Sequence, residues 1–253
     1  MDTDKILEFW NQRADLGVKA GSDDYIGKEL EVNALARHIR DGMKVAEFGC
    51  GNGMTAITLA LKRDIHLTCF DFAPAMIDTA RKLAMEAGVE NRLDFKVMDV
   101  RDERPLHEDF DVVYTQRMII NLSTWEMQSR AIHYLVSLLK RGGHFLMCEN
   151  SQLALVKLNE LRIQVGLDSI SPPWHNLYLN DAEVTALDVS GAKLVEVDPF
   201  MSTYYFLSRV VNAWLAKCEG RQPAYDAPVN HLALKLPSIG DCSQTKIWVF
   251  ERL

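Results

Sequence analysis

A glycine-rich turn is the part of this sequence whose residue types best suit ligand binding. Gly49, Gly51 and Gly53 follow the apolar run that begins at Lys44, in the pattern GxGxG. Glycines in such a turn permit a positive φ and let the backbone approach a ligand closely. In an open α/β sheet, ligands bind beyond the carboxyl ends of the strands, which is where this turn would lie. The alternative is a tight strand-to-helix turn that binds nothing.

Two carboxylates at the ends of later apolar runs could complete this site. Asp71 comes 22 residues after Gly49 and could accept hydrogen bonds from both hydroxyls of a ribose. Asp99 ends the next apolar run and could accept a hydrogen bond from the exocyclic amine of adenine. Asp71 could instead cap the helix that begins near Pro74, and the two roles are compatible. The sequence therefore predicts a ligand that contains a nucleoside.

The same turn departs from the pattern of nicotinamide-binding proteins. That pattern is GxGxxG, and Met54 stands where its third glycine would be. The third glycine comes one residue early, at Gly53. This difference disfavours a nicotinamide oxidoreductase.

Three clusters of polar residues further along the chain are candidates for a substrate site. The first two follow apolar runs typical of buried strands. The third lies in the insertion after residue 150, which holds a predicted helix and then an irregular stretch. The carboxyl ends of parallel strands face one crevice, so the first two clusters should lie close together. The candidates are Thr115, Gln116, Arg117 and Asn121; then Glu149 and Asn150; then Asn159, Arg162, Trp174, His175, Asn176 and Tyr178.

Within these clusters, His175 is the best candidate for a general base, because imidazole titrates near neutral pH. Its alternative is a loop histidine bonded to the backbone. Arg117 and Arg162 could each hold a carboxylate or phosphate of a substrate in a bidentate pair. Their alternative is an ion pair with Glu149 or Glu160.

Two further segments are weaker candidates for a functional site. Tyr204 and Tyr205, with Arg209, could wall the substrate pocket, although core packing also explains part of that run. The polar run His107–Asp109 lacks the spacing of a ligand set and is interpreted as a solvated loop. No metal site is predicted, since the partner acid that Glu149 would need after the fourth strand is absent.

The elements that must position these residues alternate between apolar runs and amphipathic segments. Helix signals include Pro74 in a first turn and Gly88 at the end of the same helix. Ser123 and Glu126 have the spacing of a capping box, and Gly142 and Gly143 would end the helix that follows. Repeated strand–helix units are the signature of a doubly wound α/β sheet. The predicted strands are 44–50, 66–72, 93–99, 111–116, 144–149, 192–197 and 246–251.

The length of 253 residues is compatible with one elaborated domain. We expect an N-terminal helical cover (1–42), a cofactor-binding core (43–150), a substrate-side insertion (151–190) and a C-terminal part of the sheet (191–253). The net charge of −7 disfavours a protein that wraps nucleic acid or binds an anionic membrane. No apolar stretch is long enough to cross a membrane. The five cysteines form no CxxC pair, which favours buried thiols in a reducing compartment and hence the cytoplasm.

Five segments, in order along the chain, resemble motifs of the class I S-adenosylmethionine-dependent methyltransferases. The glycine turn with the preceding Glu47 is similar to their first motif, and the stretch from Asp71 to Met76 is similar to the second. The resemblance covers about residues 25–150, and residues 190–253 more loosely. The other three similar segments are Val97–Val100, Phe110–Tyr114 and Leu139–Gly143.

This resemblance implies a fold and a set of contacts. The expected fold is a doubly wound, seven-stranded, mostly parallel Rossmann-like α/β sheet with helical N-terminal and substrate-side elaborations. The implied cofactor is S-adenosylmethionine. Its implied contacts are Glu47, Gly49, Cys50, Gly51 and Gly53 near the methionine part, Asp71 at the ribose, Phe72, Met76, Asp99 and Val100 at the adenine, Thr115 and Gln116 at the sulfonium, and Tyr25 closing over it.

The resulting hypothesis is methyl transfer to a hydroxyl, amine or acid group of a small molecule. Two arginines at the predicted site suit an anionic substrate. A softer likeness of 116–122, 158–162 and 174–178 to a subgroup suggests a saccharide or a nucleotide-linked precursor. Gln116, Arg117 and His175 would be catalytic. The residues predicted to bind the substrate are Asn121, Glu149, Arg162, Trp174, Asn176, Tyr178 and Tyr204.

Other functions stay open at this point. The same cofactor also supports aminocarboxypropyl transfer and intramolecular cyclisation, and the fold could serve as a non-catalytic binding module. Nucleic acid is not expected as a substrate, because no basic stripe interleaved with aromatic residues is present. A protein acceptor stays open, and the sequence makes no prediction of the oligomeric state.

Overall fold

The computed structural model describes residues 3–104, 106 and 110–253 of the chain. The predicted solvated loop at 107–109 lies outside the described residues. Among the described residues, seven strands form one sheet. They are β1 (Lys44–Phe48), β2 (His66–Asp71), β3 (Leu93–Val97), β4 (Phe110–Gln116), β5 (Leu139–Asn150), β6 (Ala192–Asp198) and β7 (Thr245–Arg252).

The order of the strands across the sheet is β3-β2-β1-β4-β5-β7-β6. The strands β1 to β5 pair in parallel, and β7 runs antiparallel to β5 and β6. The predicted doubly wound, mostly parallel sheet is therefore confirmed. The direction of winding reverses between β1 and β4, so their carboxyl ends border the crevice in which ligands of such sheets bind.

Helices cover both faces of this sheet and precede its first strand. The α-helices are α1 (Thr3–Arg13), α2 (Tyr25–Ala36), α3 (Met54–Lys62), α4 (Pro74–Glu86), α5 (Trp125–Ser137), α6 (Gln152–Gln164), α7 (Asp181–Ala186), α8 (Ser202–Tyr205) and α9 (Asn212–Cys218). A π-helical turn, Phe206–Val211, joins α8 to α9. The 3₁₀ segments are Ala14–Lys19, Glu90–Arg92, Val100–Asp102, Ile119–Asn121 and Asn230–Leu234.

Two apolar clusters lie on the two faces of the sheet. Along β1, Val45 belongs to one cluster, and Ala46 and Phe48 belong to the other. Along β2, Leu67 and Phe70 divide in the same way. Strands buried on both faces read as nearly continuous apolar runs, which explains why the central strands were recognisable in the sequence.

The predicted start of α5 was wrong by one residue. Thr124, and not Ser123, caps this helix, because its hydroxyl accepts a hydrogen bond from the backbone N–H of Met127 at 3.2 Å. Ser123 instead donates to the sulfur of Met127. In a capping box that begins at Thr124, the partner would be residue 127. Glu126 lies one position earlier, in the first turn of α5.

The predicted end of α5 was also wrong. The helix stops at Ser137, and Gly142 and Gly143 lie within β5. A Cβ atom on Gly143 would lie 2.9–3.0 Å from three backbone carbonyl oxygens, two of them on β4. The pairing of β4 and β5 shifts register at this point. Gly143 thus allows a close approach of two strands.

The predicted roles of Pro74 in the first turn of α4 and of Gly88 just beyond it are confirmed.

The segment 151–190 packs against the carboxyl ends of β4 and β5. The backbone N–H of Leu177 donates to the carbonyl of Ile120 at 2.6 Å, and Gln128 donates through its side chain to the carbonyl of Leu177. Leu179 pairs with Ser151 in an isolated parallel bridge. These contacts hold residues 173–178 beside the crevice.

Candidate active site

The turn after β1 has the geometry that its glycines predict. Gly49, Gly51 and Gly53 all have positive φ, at 75°, 52° and 72°. A Cβ atom on Gly49 would lie 2.3 Å from the side chain of Met118, and one on Gly53 would lie 2.9 Å from the ring of Phe95. Glycine is therefore required at 49 and 53 by both conformation and space. Nothing lies within 4 Å of the corresponding position at Gly51.

Asp71, at the end of β2, holds this turn in place. Its Oδ2 accepts a hydrogen bond from the backbone N–H of Gly51 at 2.8 Å, and its Oδ1 accepts one from Ala73 at 2.9 Å. Burial raises the pKa of Asp71 to about 6. Each carboxylate oxygen can accept a second hydrogen bond, which leaves capacity for a ligand.

Glu47, near the end of β1, is a second buried acid beside the glycine turn. Its side chain is almost completely buried, and its Oε2 atom has no hydrogen-bond partner. Burial raises the pKa of Glu47 to about 8. A buried carboxyl with an unpartnered oxygen is costly unless a ligand or a proton satisfies it.

A cavity of about 350 Å³, which we call the cofactor cavity, opens above these residues. The predicted cofactor contacts on its wall are Tyr25, Glu47, Gly49, Cys50, Gly51, Asp71, Phe72, Met76 and Gln116. Tyr25 is 60% exposed, and Lys28 lies over its ring with its Nζ 5.6 Å from the ring centre. The wall also includes Asn52, which precedes α3, and Met54 and Thr55 in the first turn of α3.

A smaller cavity of about 60 Å³, the side cavity, adjoins the first one. Gly49, Phe72, Met118 and Asn121 line both. The predicted adenine contacts Asp99 and Val100 lie on the wall of the side cavity, together with Ile6 and Met98. The structure thus brings the two predicted ends of the cofactor site together.

Asp99 is already engaged by a neighbouring cation. It accepts hydrogen bonds from the backbone N–H and the guanidinium of Arg101, both at 2.9 Å. Burial opposes the charged form, but these hydrogen bonds hold the pKa of Asp99 below its usual value. Asp99 is therefore an anion on the wall of the side cavity.

A third cavity of about 310 Å³, the acceptor cavity, lies on the other side of the cofactor cavity. The two share a wall made of Trp10, Gly21, Lys28, Arg117 and Asn121. The predicted substrate-side residues His175, Asn176 and Tyr178 line it, as does Asn150. Its wall also includes Phe9, Arg13, Asp24, Glu31, Tyr205, Arg209 and Tyr225.

The shared wall is built around a buried carboxylate on α2. Glu31 is 2% exposed and accepts hydrogen bonds from the side chains of Gln116 and Arg117. Thr55 donates to the amide oxygen of Gln116 at 2.6 Å, which links this network to the cofactor cavity. Arg117 has a φ of 54°, a conformation that directs the chain sharply away from β4.

Asn121 ties the N-terminal helix to the same wall. Its side-chain oxygen accepts a hydrogen bond from the indole N–H of Trp10 at 3.2 Å, and its amide donates to the carbonyl of Arg117 at 2.7 Å. Asn121 lines all three cavities. Helix α1 therefore forms part of the crevice.

His175 lies between aromatic rings in the acceptor cavity. Its ring centre is 4.6 Å from that of Phe9 and 5.7 Å from that of Trp10. Its Nδ1 atom is buried without a partner, as is the side-chain oxygen of Asn176. Burial, helped by the charge of Arg13, lowers the pKa of His175. The ring is thus neutral near pH 7 and can accept a proton.

The structure places several predicted site residues outside these three cavities. Thr115 is completely buried in β4. Glu149 accepts hydrogen bonds from the backbone N–H groups of 118, 119 and 120 at 3.0–3.3 Å, so it fixes the chain after β4. Burial raises the pKa of Glu149 to about 7. Trp174 is 56% exposed and touches Phe9 from outside.

Gly53, Arg162 and Tyr204 likewise lie behind the walls and not on them. Arg162 donates to the backbone carbonyls of Asp168 and Arg209. The hydroxyl of Tyr204 donates to Asp24. The alternative ion pairs of Arg117 and Arg162 with Glu149 or Glu160 were also wrong, since Arg117 pairs with Glu31 instead.

Several wall residues escaped the sequence analysis, among them Trp10, Asp24, Lys28 and Glu31. A usable signal was present for Glu31, because it is an acid within the apolar stripe of α2. Asp24 had the ordinary signal of a helix cap, and it does accept a hydrogen bond from Gly27. No signal distinguished Trp10 from a core residue of an amphipathic helix.

Two kinds of feature are not found among the described residues. No group of three or more His, Cys, Asp or Glu side chains there could hold a metal ion. No helix in the described ranges is long and apolar enough to cross a membrane.

Comparisons with known proteins agree with this arrangement. A family model described as a methyltransferase domain matches residues 45–143. The ubiquinone biosynthesis O-methyltransferase of Xylella fastidiosa is 28% identical over 185 residues, which span 67% of this chain and 69% of the relative. The phosphoethanolamine N-methyltransferase 1 of Arabidopsis thaliana is 26% identical over 151 residues. These residues span 58% of this chain but only 30% of that relative.

A solved structure shows the same fold over its whole length. The magnesium protoporphyrin IX methyltransferase ChlM from Synechocystis PCC 6803, with bound SAH, superposes with a TM-score of 0.63. The alignment covers 100% of both chains at 15% sequence identity. At this identity the likeness concerns the fold.

Proposed function

The chain belongs to the class I S-adenosylmethionine-dependent methyltransferases, and on that basis we propose that it methylates a small anionic molecule bound in the acceptor cavity. The observation that carries this proposal is the wall of five residues that the cofactor and acceptor cavities share. An acceptor seated there can meet the cofactor within one crevice. A volume of about 310 Å³ suits a small molecule.

The charges around the acceptor cavity favour an anion. Four side chains that normally carry a positive charge line the acceptor cavity, together with two carboxylates. Each carboxylate is committed to an arginine, Glu31 to Arg117 and Asp24 to Arg209. The cavity therefore keeps an excess of positive charge, which attracts a negatively charged ligand. The remaining two cations are Arg13 and Lys28.

The hydrogen-bonding groups of the cofactor site suit S-adenosylmethionine. Asp71 suits the ribose hydroxyls, the side cavity suits the adenine, and the unpartnered oxygen of Glu47 suits the charged methionine end. When bound, the cofactor supplies an electrophilic methyl group from its sulfonium. Glu31 holds Gln116 on the cofactor cavity and Arg117 on the shared wall, where the two side chains orient the acceptor toward the cofactor and exclude water.

We assign the general base to His175. A hydroxyl or protonated amine must lose a proton as it attacks the methyl group, and a neutral imidazole can take that proton. The lowered pKa and the unpartnered Nδ1 atom of His175 support this role. The wall residues Asn176 and Tyr178 would then contact the bound acceptor.

The proposal is tested by following tritium from methyl-labelled S-adenosylmethionine into a cell extract. After incubation with the protein, the extract is separated into protein, RNA and a fraction below about 1 kDa. We expect the label in the small-molecule fraction, together with release of S-adenosylhomocysteine. Label confined to protein or RNA would contradict the proposed substrate class, and release of methylthioadenosine would contradict methyl transfer.

The role of His175 is tested in the same assay. We expect His175→Asn to lower the rate of label transfer by 10²–10⁴-fold, as is typical of a lost general base. Its affinity for S-adenosylhomocysteine should stay within about twofold of the wild-type value. The matched control is His133→Asn, because His133 is exposed on α5. An unchanged rate for His175→Asn would remove this residue from the mechanism.

A further inference from the structure

Arg209 lies in the acceptor cavity on an unusual piece of helix. It belongs to the π-helical turn 206–211 that joins α8 to α9. Such wide turns are rare, and they occur frequently at functional sites. Here the wide turn brings a charged side chain to the cavity wall.

Three tyrosine rings surround the guanidinium of Arg209. The guanidinium carbon is 4.9 Å from the ring centre of Tyr225, 5.5 Å from that of Tyr205 and 5.8 Å from that of Tyr204. Aromatic rings displace water from the flat faces of a guanidinium and leave its edges free for hydrogen bonds. A poorly hydrated cation in such a place gains more from an anionic ligand than an exposed one does.

Arg209 is held firmly but keeps donors for a ligand. Its guanidinium donates to Asp24 at 3.1 Å and to the hydroxyl of Ser208. These two contacts use part of the five N–H groups that an arginine carries. Behind it, Arg162 donates to the backbone carbonyl of Arg209 and so fixes the turn.

The position of Arg209 differs from that of Arg117 in one respect that matters for the reaction. Arg117 lines both the cofactor cavity and the acceptor cavity, whereas Arg209 lines only the acceptor cavity of these two. A group bound at Arg209 therefore contacts a part of the acceptor cavity that the cofactor cavity does not share. The atom that receives the methyl group must instead face the cofactor cavity at the shared wall.

We infer that Arg209 anchors a carboxylate or phosphate of the acceptor, at the opposite end of the acceptor from the atom that is methylated. This inference rests on the proposed function. It narrows the acceptor group to a hydroxyl or an amine, because the acid held by Arg209 is not the group presented to the cofactor cavity. The product accordingly keeps its anionic group and is not a methyl ester.

The anchor is tested with two probes, benzoate and inorganic phosphate, on protein saturated with S-adenosylhomocysteine. Each probe is titrated at constant ionic strength by isothermal calorimetry. We expect wild-type protein to bind at least one probe, and Arg209→Gln to weaken that binding tenfold or more. Arg209→Lys, which keeps the charge but loses the planar fork, should lie between the two. The matched control is Arg221→Gln, because Arg221 is exposed, pairs with the nearby Glu219 and lines none of the three cavities.

Each result decides something specific. Binding of benzoate alone identifies a carboxylate anchor, and binding of phosphate alone identifies a phosphate anchor. Equal affinities of wild-type protein and both Arg209 variants, with S-adenosylhomocysteine still bound, would overturn the anchor but not the proposed function. Failure of wild-type protein to bind either probe would also overturn the anchor. Failure to bind S-adenosylhomocysteine would instead count against the proposed function.

The bond formed in the product gives an independent readout. The tritiated small-molecule product of the extract assay is treated with mild base that hydrolyses methyl esters. Survival of the label in the non-volatile product is the expected result. Label that is released as methanol would overturn the inference.

Discussion

Replacing Glu47 by glutamine should make the protein more stable at alkaline pH. The pKa of Glu47 is about 8 in the folded protein, against 4.5 for an ordinary glutamate. Between these two values the folded chain holds a proton that the unfolded chain has lost. Raising the pH in this window therefore favours unfolding, since unfolding releases a proton. Glutamine resembles the protonated form and has no such cost.

The size of the effect follows from the two pKa values. Each pH unit inside the window changes the free energy of unfolding by about 1.4 kcal/mol. Allowing for partial ionisation near each end, the wild-type protein loses about 3–4 kcal/mol between pH 5 and pH 8 through this one group. Glu47→Gln should lose none of it. For a chain of this size, the difference at pH 8 corresponds to roughly 10 °C in the melting temperature.

The assay is urea unfolding of the ligand-free protein at pH 5, 6, 7 and 8, at constant ionic strength. The quantity of interest is the difference in unfolding free energy between variant and wild type. Glu149, whose pKa is also raised, affects both proteins alike and cancels in this difference. Asp71 does not cancel completely, because its charge contributes to the raised pKa of Glu47. The control is Glu160→Gln, which makes the same substitution at an exposed glutamate on α6. A difference for Glu47→Gln that does not change with pH would refute the reasoning.

Three further substitutions test other parts of the site. Asp71→Ala should weaken binding of S-adenosylhomocysteine at least about tenfold in calorimetry, because hydrogen bonds to a charged group are lost; an unchanged affinity would remove Asp71 from the cofactor site. Gly49→Ala should destabilise the protein by more than about 2–3 kcal/mol in urea unfolding, since strain at positive φ adds to a clash with Met118, whereas Gly51→Ala should cost only about 1–2 kcal/mol. Glu31→Gln should cost about 2–3 kcal/mol, somewhat less than for a fully buried pair because the Arg117 side chain is 32% exposed; equal stability of variant and wild type would show that the pair contributes nothing.

The core of the fold could be predicted because its signals are local. Strands buried on both faces give continuous apolar runs, and the turn between β1 and α3 requires glycines whatever the rest of the chain does. Asp71 and Glu47 were found for the same reason, since each lies at a fixed place relative to that turn. Errors at the ends of α5 were small. Neighbouring residues such as Ser123 and Thr124 compete for one cap, and Gly143 is needed for strand pairing, which sequence spacing does not reveal.

The acceptor side was harder to predict because its contacts are between distant segments. Glu31 meets Arg117 across 86 positions of the chain, and Asp24 meets Arg209 across 185. An arginine looks the same in the sequence whether it faces a cavity or a carbonyl group. Arg162 was predicted to contact a ligand, but it donates to two backbone carbonyls. Arg209 was predicted to wall the substrate pocket, and it does line the acceptor cavity. Only the packed structure distinguishes these two arginines.

Helix α1 contributes side chains to all three cavities, with Ile6 on the side cavity and Trp10 on the other two. Because α1 lines all three cavities, it constrains how the protein can diverge. A change in α1 that reshapes the pocket for a new substrate also alters the pocket for the cofactor, so the two preferences are genetically coupled there. Pro173, Asn176 and the turn with Arg209 carry no such coupling, because among the three cavities they border the acceptor cavity alone. Engineering or natural drift toward new substrates should therefore concentrate at those positions and spare both the first helix and the general base His175.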